Sequence, residues 1–332
     1  MRHRMAFLLL LVTPVFGFAA EKPAFPPLPA AVSSLGAITC DGYAYVYGGH
    51  AGKTHSYDTK TVVGTFHRLK LDGGTKWEEL PGGPLLQGMN LASHGGKVYR
   101  VGGMSPRNEP GQPADNLSLA DAAVYDPQAG KWTSLPPMPA GRSSHDLVVV
   151  GDKLVVVGGW NQKGKGQSSD WHDTALTLDL KAKTLEWKSI PQSFQRRALT
   201  AAVVGTKVYV LGGLSAKAAS QTNVDVLDTA TGKWTSGPTF PGEGVGFSPA
   251  ATTINGRVIL SCSDAKVYRL TEAGDAWEKV GESTTKRMVA RLLPFGSEVL
   301  LVGGASRSGN IANLEVVKLA EHGEKVTAAD TK

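Results

Sequence analysis

The chain of 332 residues carries 35 Lys+Arg against 29 Asp+Glu, 40 Gly, 19 Pro and 2 Cys, with 41% hydrophobic and 19% charged residues. That balance excludes an intrinsically disordered chain, a disulfide scaffold and, because the glycines follow no triplet period, a collagen. The formal charge of +6 is spread along the chain instead of gathered in a basic stripe, which argues against nucleic acid as a partner.

The first predicted element is a signal peptide over residues 1–20. Met1-Arg2-His3-Arg4 forms its basic start, Ala6 to Phe16 its apolar run, and Gly17-Phe18-Ala19-Ala20 a small-residue cleavage site. An apolar run of eleven residues is too short to span a bilayer. No later stretch is long and apolar enough either, so the mature chain is expected to be exported, periplasmic or secreted, without membrane insertion. Loss of Arg2 and Arg4 leaves 33 basic against 29 acidic groups, a net charge of +4.

Residues 21–320 then repeat with a period of about fifty. Six short apolar runs begin at Tyr43, Val98, Leu154, Val208, Val258 and Val299. Five of them end in a Gly-Gly doublet, and the fifth in order ends in Cys262-Ser263 instead. Their β-branched and aromatic composition is that of buried strands. A turn pair precedes each: Asp41-Gly42, Gly95-Gly96, Gly151-Asp152, Gly205-Thr206, Asn255-Gly256 and Gly296-Ser297. Such pairs suit a tight hairpin, so each run is predicted to be the second strand of one. A polar loop follows, then a third strand ending near an Asp, as in Tyr125-Asp126, Leu178-Asp179 and Leu227-Asp228. A Trp next opens the fourth strand, at Trp77, Trp132, Trp187, Trp234 and Trp277.

The Gly-Gly doublet, the Tyr-Asp pair and the Trp about six residues later resemble the kelch repeat across residues 22–319. The resemblance implies an all-β fold, a six-bladed kelch β-propeller. A lone four-stranded blade cannot bury both faces, whereas a ring of blades can. The sixth blade has a third strand over Leu314 to Leu319 and no Trp after it. The segment Pro26-Pro27-Leu28-Pro29-Ala30 mirrors Pro136-Pro137-Met138-Pro139-Ala140, the exit from a fourth strand. Residues around Lys22 to Pro27 are therefore expected to close the ring as an N-terminal strand, with Glu324 to Ala328 as the competing segment. Residues 321–332 are expected to be a flexible tail, and Cys40 and Cys262 two buried free thiols.

The loops between second and third strands share one face with the entries into first strands. They are longest in blade two, Met104 to Asp121, and blade three, Trp160 to Asp173, and shortest in blade five, between Ser263 and Lys266. Long polar loops on a rigid scaffold commonly carry binding residues. Counting back sixteen positions from each doublet gives Arg142, Arg196 and Arg287 in blades three, four and six, and Val32, Leu86 and Gly246 elsewhere. Three guanidiniums converging on the channel mouth would form a bidentate trap for a carboxylate or sulfate. The alternative is a structural role, with each Arg bonded to loop carbonyls. His50, Trp160, Asn161, Asn90 and His145 are placed near the same mouth. There Trp160 is a candidate to stack on a sugar ring and the asparagines to bond its hydroxyls.

The histidines are scattered without zinc-type spacing, and no P-loop, dinucleotide fingerprint or Gly-x-Ser-x-Gly elbow sits in its required context, so neither metal nor cofactor is expected. The chain is also similar to the periplasmic N-acetylneuraminate epimerase (sialic acid mutarotase) family through Pro81-Gly82-Gly83-Pro84-Leu85-Leu86-Gln87 and Gly158-Gly159-Trp160-Asn161-Gln162. The family has an Arg where this chain has Leu85, and its acid/base segment has no counterpart among these residues. Three functions remain open: binding of an anionic ligand, with an acidic sugar or glycan foremost; epimerisation or mutarotation of an acidic sugar; and a platform for a protein partner.

Overall fold

The computed structural model describes residues 25–242 and 244–321. The expected signal peptide and all but the first residue of the expected tail lie outside the described residues. The described chain is a six-bladed β-propeller built only from strands, turns and loops.

Each blade is an antiparallel meander radiating from the axis. In blade three the order is Ser143–Val150, Lys153–Asn161, Thr174–Asp179 and Trp187–Pro191. Its second strand shows why these residues make a strand: Leu154 to Val157 are fully buried on both faces, the setting that β-branched side chains fill best. The turn pairs behave as their composition requires, with positive φ at both residues in Asp41-Gly42, Gly95-Gly96 and Asn255-Gly256. The first strands, from Gly36–Cys40 in blade one to Arg291–Phe295 in blade six, neighbour one another cyclically and line the axis. Six apolar clusters fill the seams between successive blades, the seam from blade six to blade one included.

The doublet glycines let the next blade's entry segment approach. A Cβ on Gly102 would stand 2.4 Å from the Arg142 carbonyl oxygen, while the Gly103 N–H donates to that same oxygen at 2.8 Å. Both glycines have positive φ, so a side chain here meets conformational and steric cost together.

The tryptophans stitch blade to blade. Trp132, Trp187, Trp234 and Trp277 each donate Nε1–H to a proline carbonyl at the end of the preceding blade's fourth strand, namely Pro81, Pro136, Pro191 and Pro238. Trp77 of blade one donates to Pro26 at 3.2 Å. The N-terminal segment thus stands where the exit of blade six's outer strand belongs. Leu28 N–H donates to the Ala312 carbonyl at 2.8 Å, and Phe25 meets Phe295 edge-on at 5.3 Å. Among the described residues blade six has three strands, Arg291–Phe295, Glu298–Val302 and Leu314–Val317. Residues 22–24 and the competing segment 324–328 lie outside them.

At the axis, one residue per blade adopts positive φ between 46° and 63°: Ser34, Gly88, Ser144, Ala198, Ser248 and Val289. Each donates its N–H to the carbonyl of its counterpart in the preceding blade, at 2.6 to 3.4 Å, and Ser34 donates to Val289, so six bonds form a closed annulus. Cys40 and Cys262 are free and buried, as expected, and burial pushes their thiols up to about 11 and about 12.

Candidate functional site: a cavity at the channel mouth

Above that annulus lies a cavity of about 430 Å³. The annulus residues form its floor, and its walls come from the second-to-third-strand loops of blades one, two, three and six. The blade-one loop is fixed from both sides. Asn108 donates to the Tyr57 carbonyl at 3.0 Å, and Asn310 donates to the carbonyls of His50 and Gly52 at 2.9 and 3.0 Å.

The arginines found by counting back sixteen positions do not line this cavity; each turns into its own blade. Arg142 Nη1 donates to the carbonyls of Gly158 and Thr174 at 3.1 and 2.8 Å. Arg196 repeats this with Gly212 and Asn223, and Arg287 with Gly303 and Asn313. Arg196 further pairs with Asp225, and Arg287 with Glu315 at 2.7 Å. Only 1%, 4% and 5% of the three residues is exposed. The converging trap of Arg142, Arg196 and Arg287 is therefore corrected to three fasteners that join a blade's second and third strands. Burial lowers all three guanidiniums, Arg142 to about 10.

Three other guanidiniums do line the cavity: Arg197, Arg291 and Arg307. No Asp or Glu is among its lining residues. Arg197 lies 4.1 Å over the ring of Trp160 and has no carboxylate partner among the described residues. Its Nε and the Trp160 Nε1 are both buried donors without an acceptor. Trp160 thus offers its face to Arg197, and Trp171 packs beside it at 5.7 Å, so the expected sugar-stacking role for Trp160 gives way to orienting a cation. Arg307 is exposed at the rim. Arg291 sits at the floor, donating Nε–H to the Leu35 carbonyl at 2.8 Å and Nη2–H to the Met89 carbonyl at 2.6 Å.

His50 and His145 are cavity-lining, as expected. His50 donates Nε2–H to the Ser56 carbonyl at 2.8 Å, and burial lowers its basicity. His145 donates Nε2–H to the Val101 carbonyl at 3.1 Å, which leaves Nδ1 an unprotonated nitrogen without a partner. Burial, with Arg142, Arg291 and His172 adding repulsion, pushes the His145 imidazole down to about 3. Asn90 and Asn161 are not among the lining residues. Asn90 accepts from the backbone N–H groups of Ala37 and Leu91 at 3.2 and 2.9 Å, beside the channel below the annulus. Asn161 pairs with Asp170 at the root of the blade-three loop. Among the described residues no group of three or more His, Cys, Asp or Glu comes together in a way that could hold a metal ion.

The arginine correction was legible in part. Successive residues of an extended segment point to opposite sides. Arg196 faces its blade, so Arg197 faces the channel. Arg291 and Arg307 carry no comparable sequence signal.

Comparison with known proteins gives the same architecture. The chain is 28% identical over 238 residues to "Kelch-like protein terF" of Aspergillus terreus, covering 64% of this chain and 49% of that one. It is 32% identical over 117 residues to "Kelch-like protein 7" of Rattus norvegicus, covering 35% and 18%. The chain thus spans about half or less of these two relatives. It is 25% identical over 319 residues to an N-acetylneuraminate epimerase of Haemophilus influenzae, covering 88% of this chain and 78% of that one. The solved structure of YjhT superposes with a TM-score of 0.73 at 19% identity, over 91% of this chain and 99% of that chain, a likeness of fold. Residues 88–304 match the family described as the KLHDC2/KLHL20/DRC7 Kelch-repeats domain. With its blades, doublets and interblade tryptophans on that pattern, the chain belongs to this Kelch-repeat family.

Proposed function

We propose that this is an exported binding protein whose channel-mouth cavity takes a small anionic ligand, an acidic sugar foremost. The observation that carries the reading is the cavity's lining, which has no carboxylate and includes two arginines, Arg197 and Arg307, without a carboxylate partner among the described residues, while the third, Arg291, is paired with Asp146. Arg197 is the anchor. Trp160 holds its guanidinium in one orientation, leaving its terminal nitrogens for a carboxylate, and the partly enclosed wall lessens screening. Arg307 adds charge at the entrance. Ser33, Gln87, Gln162 and Asn310 are polar lining groups suited to ligand hydroxyls. The relative named N-acetylneuraminate epimerase supports an acidic sugar.

Isothermal titration with N-acetylneuraminic acid and glucuronic acid against neutral N-acetylglucosamine tests this. Saturable binding of an acid, weakened at least about 10-fold by Arg197→Ala, is expected, that being the loss of one charge-assisted bond. Equal binding of neutral and acidic sugars, or of neither, overturns it.

Epimerisation or mutarotation of such a sugar is favoured by one observation. A relative named N-acetylneuraminate epimerase aligns over 88% of this chain. Anomer exchange followed by NMR decides it, with an unaccelerated rate excluding catalysis.

A further inference from the structure

The cavity wall is uneven, and its low side differs in chemistry from its high side. The connecting loops of blade one (Thr54, His55, Tyr57), blade three (Trp160, Gln162) and blade six (Ala305 to Arg307, Asn310) all contribute lining residues. The corresponding connections of blades four and five contribute none. In blade five the second and third strands, Arg257–Ser261 and Lys266–Leu270, are joined by only four residues. On that side, beside Arg197 and Leu199 of blade four's entry segment, the lip includes two apolar side chains, one on each entry segment flanking blade five: Phe247, half-buried, and Met288. Met288 is 40% exposed, one of two exposed large hydrophobic residues among the described residues.

A ligand consisting only of a compact anion would leave this lip facing water. A ligand with an uncharged ring attached to its acidic end would cover it. The ring's C–H face would lie against Phe247 and the adaptable Met288 thioether while the acid reaches Arg197. We propose that the cavity receives the acidic terminus of a longer saccharide, and that the next sugar unit leaves over blade five across Phe247 and Met288. This rests on the anion-binding reading above and deepens it, from a free acidic sugar to the end of a glycan.

The test compares N-acetylneuraminic acid with 3′-sialyllactose by isothermal titration. The trisaccharide should bind about 10-fold more tightly, the gain from covering one further apolar face of roughly 50–60 Å². Phe247→Ala with Met288→Ala should bring the trisaccharide to the affinity of the free acid and leave the free acid unchanged. Met288→Ala alone, at an exposed position, should remove part of the gain and serves if the double variant does not fold. Equal affinities in the unaltered protein, exclusion of the trisaccharide, or a gain untouched by Met288→Ala overturns the proposal while leaving the anion site intact. Binding of neither sugar defeats the underlying reading instead.

Discussion

Asp146 of blade three and Arg291 of blade six meet across the propeller axis, carboxylate Oδ1 to Nη1 at 3.4 Å. Asp146 also accepts from the Thr200 hydroxyl at 3.0 Å and the Ala201 N–H at 2.7 Å, while Arg291 holds the Leu35 and Met89 carbonyls. One ion pair thereby joins side chains and backbone from five of the six blades. Replacing Arg291 by Met leaves a fully buried carboxylate without its cation and should cost about 3–5 kcal/mol in urea unfolding. Adding Asp146→Asn should recover part of that loss. A cost below about 1 kcal/mol for Arg291→Met would show that the pair does not hold the blades together.

The two classes of arginine should separate cleanly. Arg142→Ala strands the Gly158 and Thr174 carbonyls in the interior and should cost about 2–6 kcal/mol, from roughly 1–3 for each unsatisfied group. Anion binding should persist in whatever fraction folds. Arg197→Ala should change stability by under about 1 kcal/mol, the worth of its stacking on Trp160, and should weaken anion binding at least about 10-fold. Thermal unfolding and titration of the two variants side by side measure both effects.

Val289 holds φ at 51° within the axial annulus, a conformation that a β-branched residue adopts at a cost of roughly 1–2 kcal/mol. Val289→Gly should relieve part of this and raise the unfolding temperature by a few degrees. Gly88→Val, at the matching position with φ 63°, would bring a Cβ to 3.3 Å from the Ser144 backbone nitrogen and should lower it. Opposite signs at equivalent positions are the expected signature; equal signs would show that the annulus is not what sets the cost.

The buried neutral His145 makes stability depend on pH. In the unfolded chain its imidazole takes up a proton near pH 6.5, whereas in the folded chain it stays neutral down to about 3. The unfolded state therefore binds the extra proton across that window, and stability falls as pH is lowered through it, by about 1.4 kcal/mol per pH unit for this one group. Urea midpoints at pH 7, 6 and 5 for the wild type and His145→Gln should show a shallower decline in the variant. An unchanged slope would mean that His145 is protonated in the folded state.

The architecture could be read from the sequence because its signals are local and repeated. Gly102-Gly103 must admit another backbone, Asn255-Gly256 must turn a hairpin, and Trp132 must reach a proline carbonyl one blade away. The cavity-lining residues are set by relations that cross blades. Arg291 gains its role from Leu35, Met89 and Asp146, residues as far as 256 positions away in sequence. The axial annulus was hidden for the opposite reason. Its bonds are purely backbone, so Ser, Gly, Ala and Val fill equivalent positions and leave no common letter to detect.

That annulus also acts as a gauge of repeat number. Every member gives one amide proton and takes one, so the circuit has neither a beginning nor an end to absorb a miscount. A tandem duplication or deletion of one repeat would have to open this six-membered circuit and close it again with a different number of members. The arithmetic of the gene is thus written into a circle of six amides.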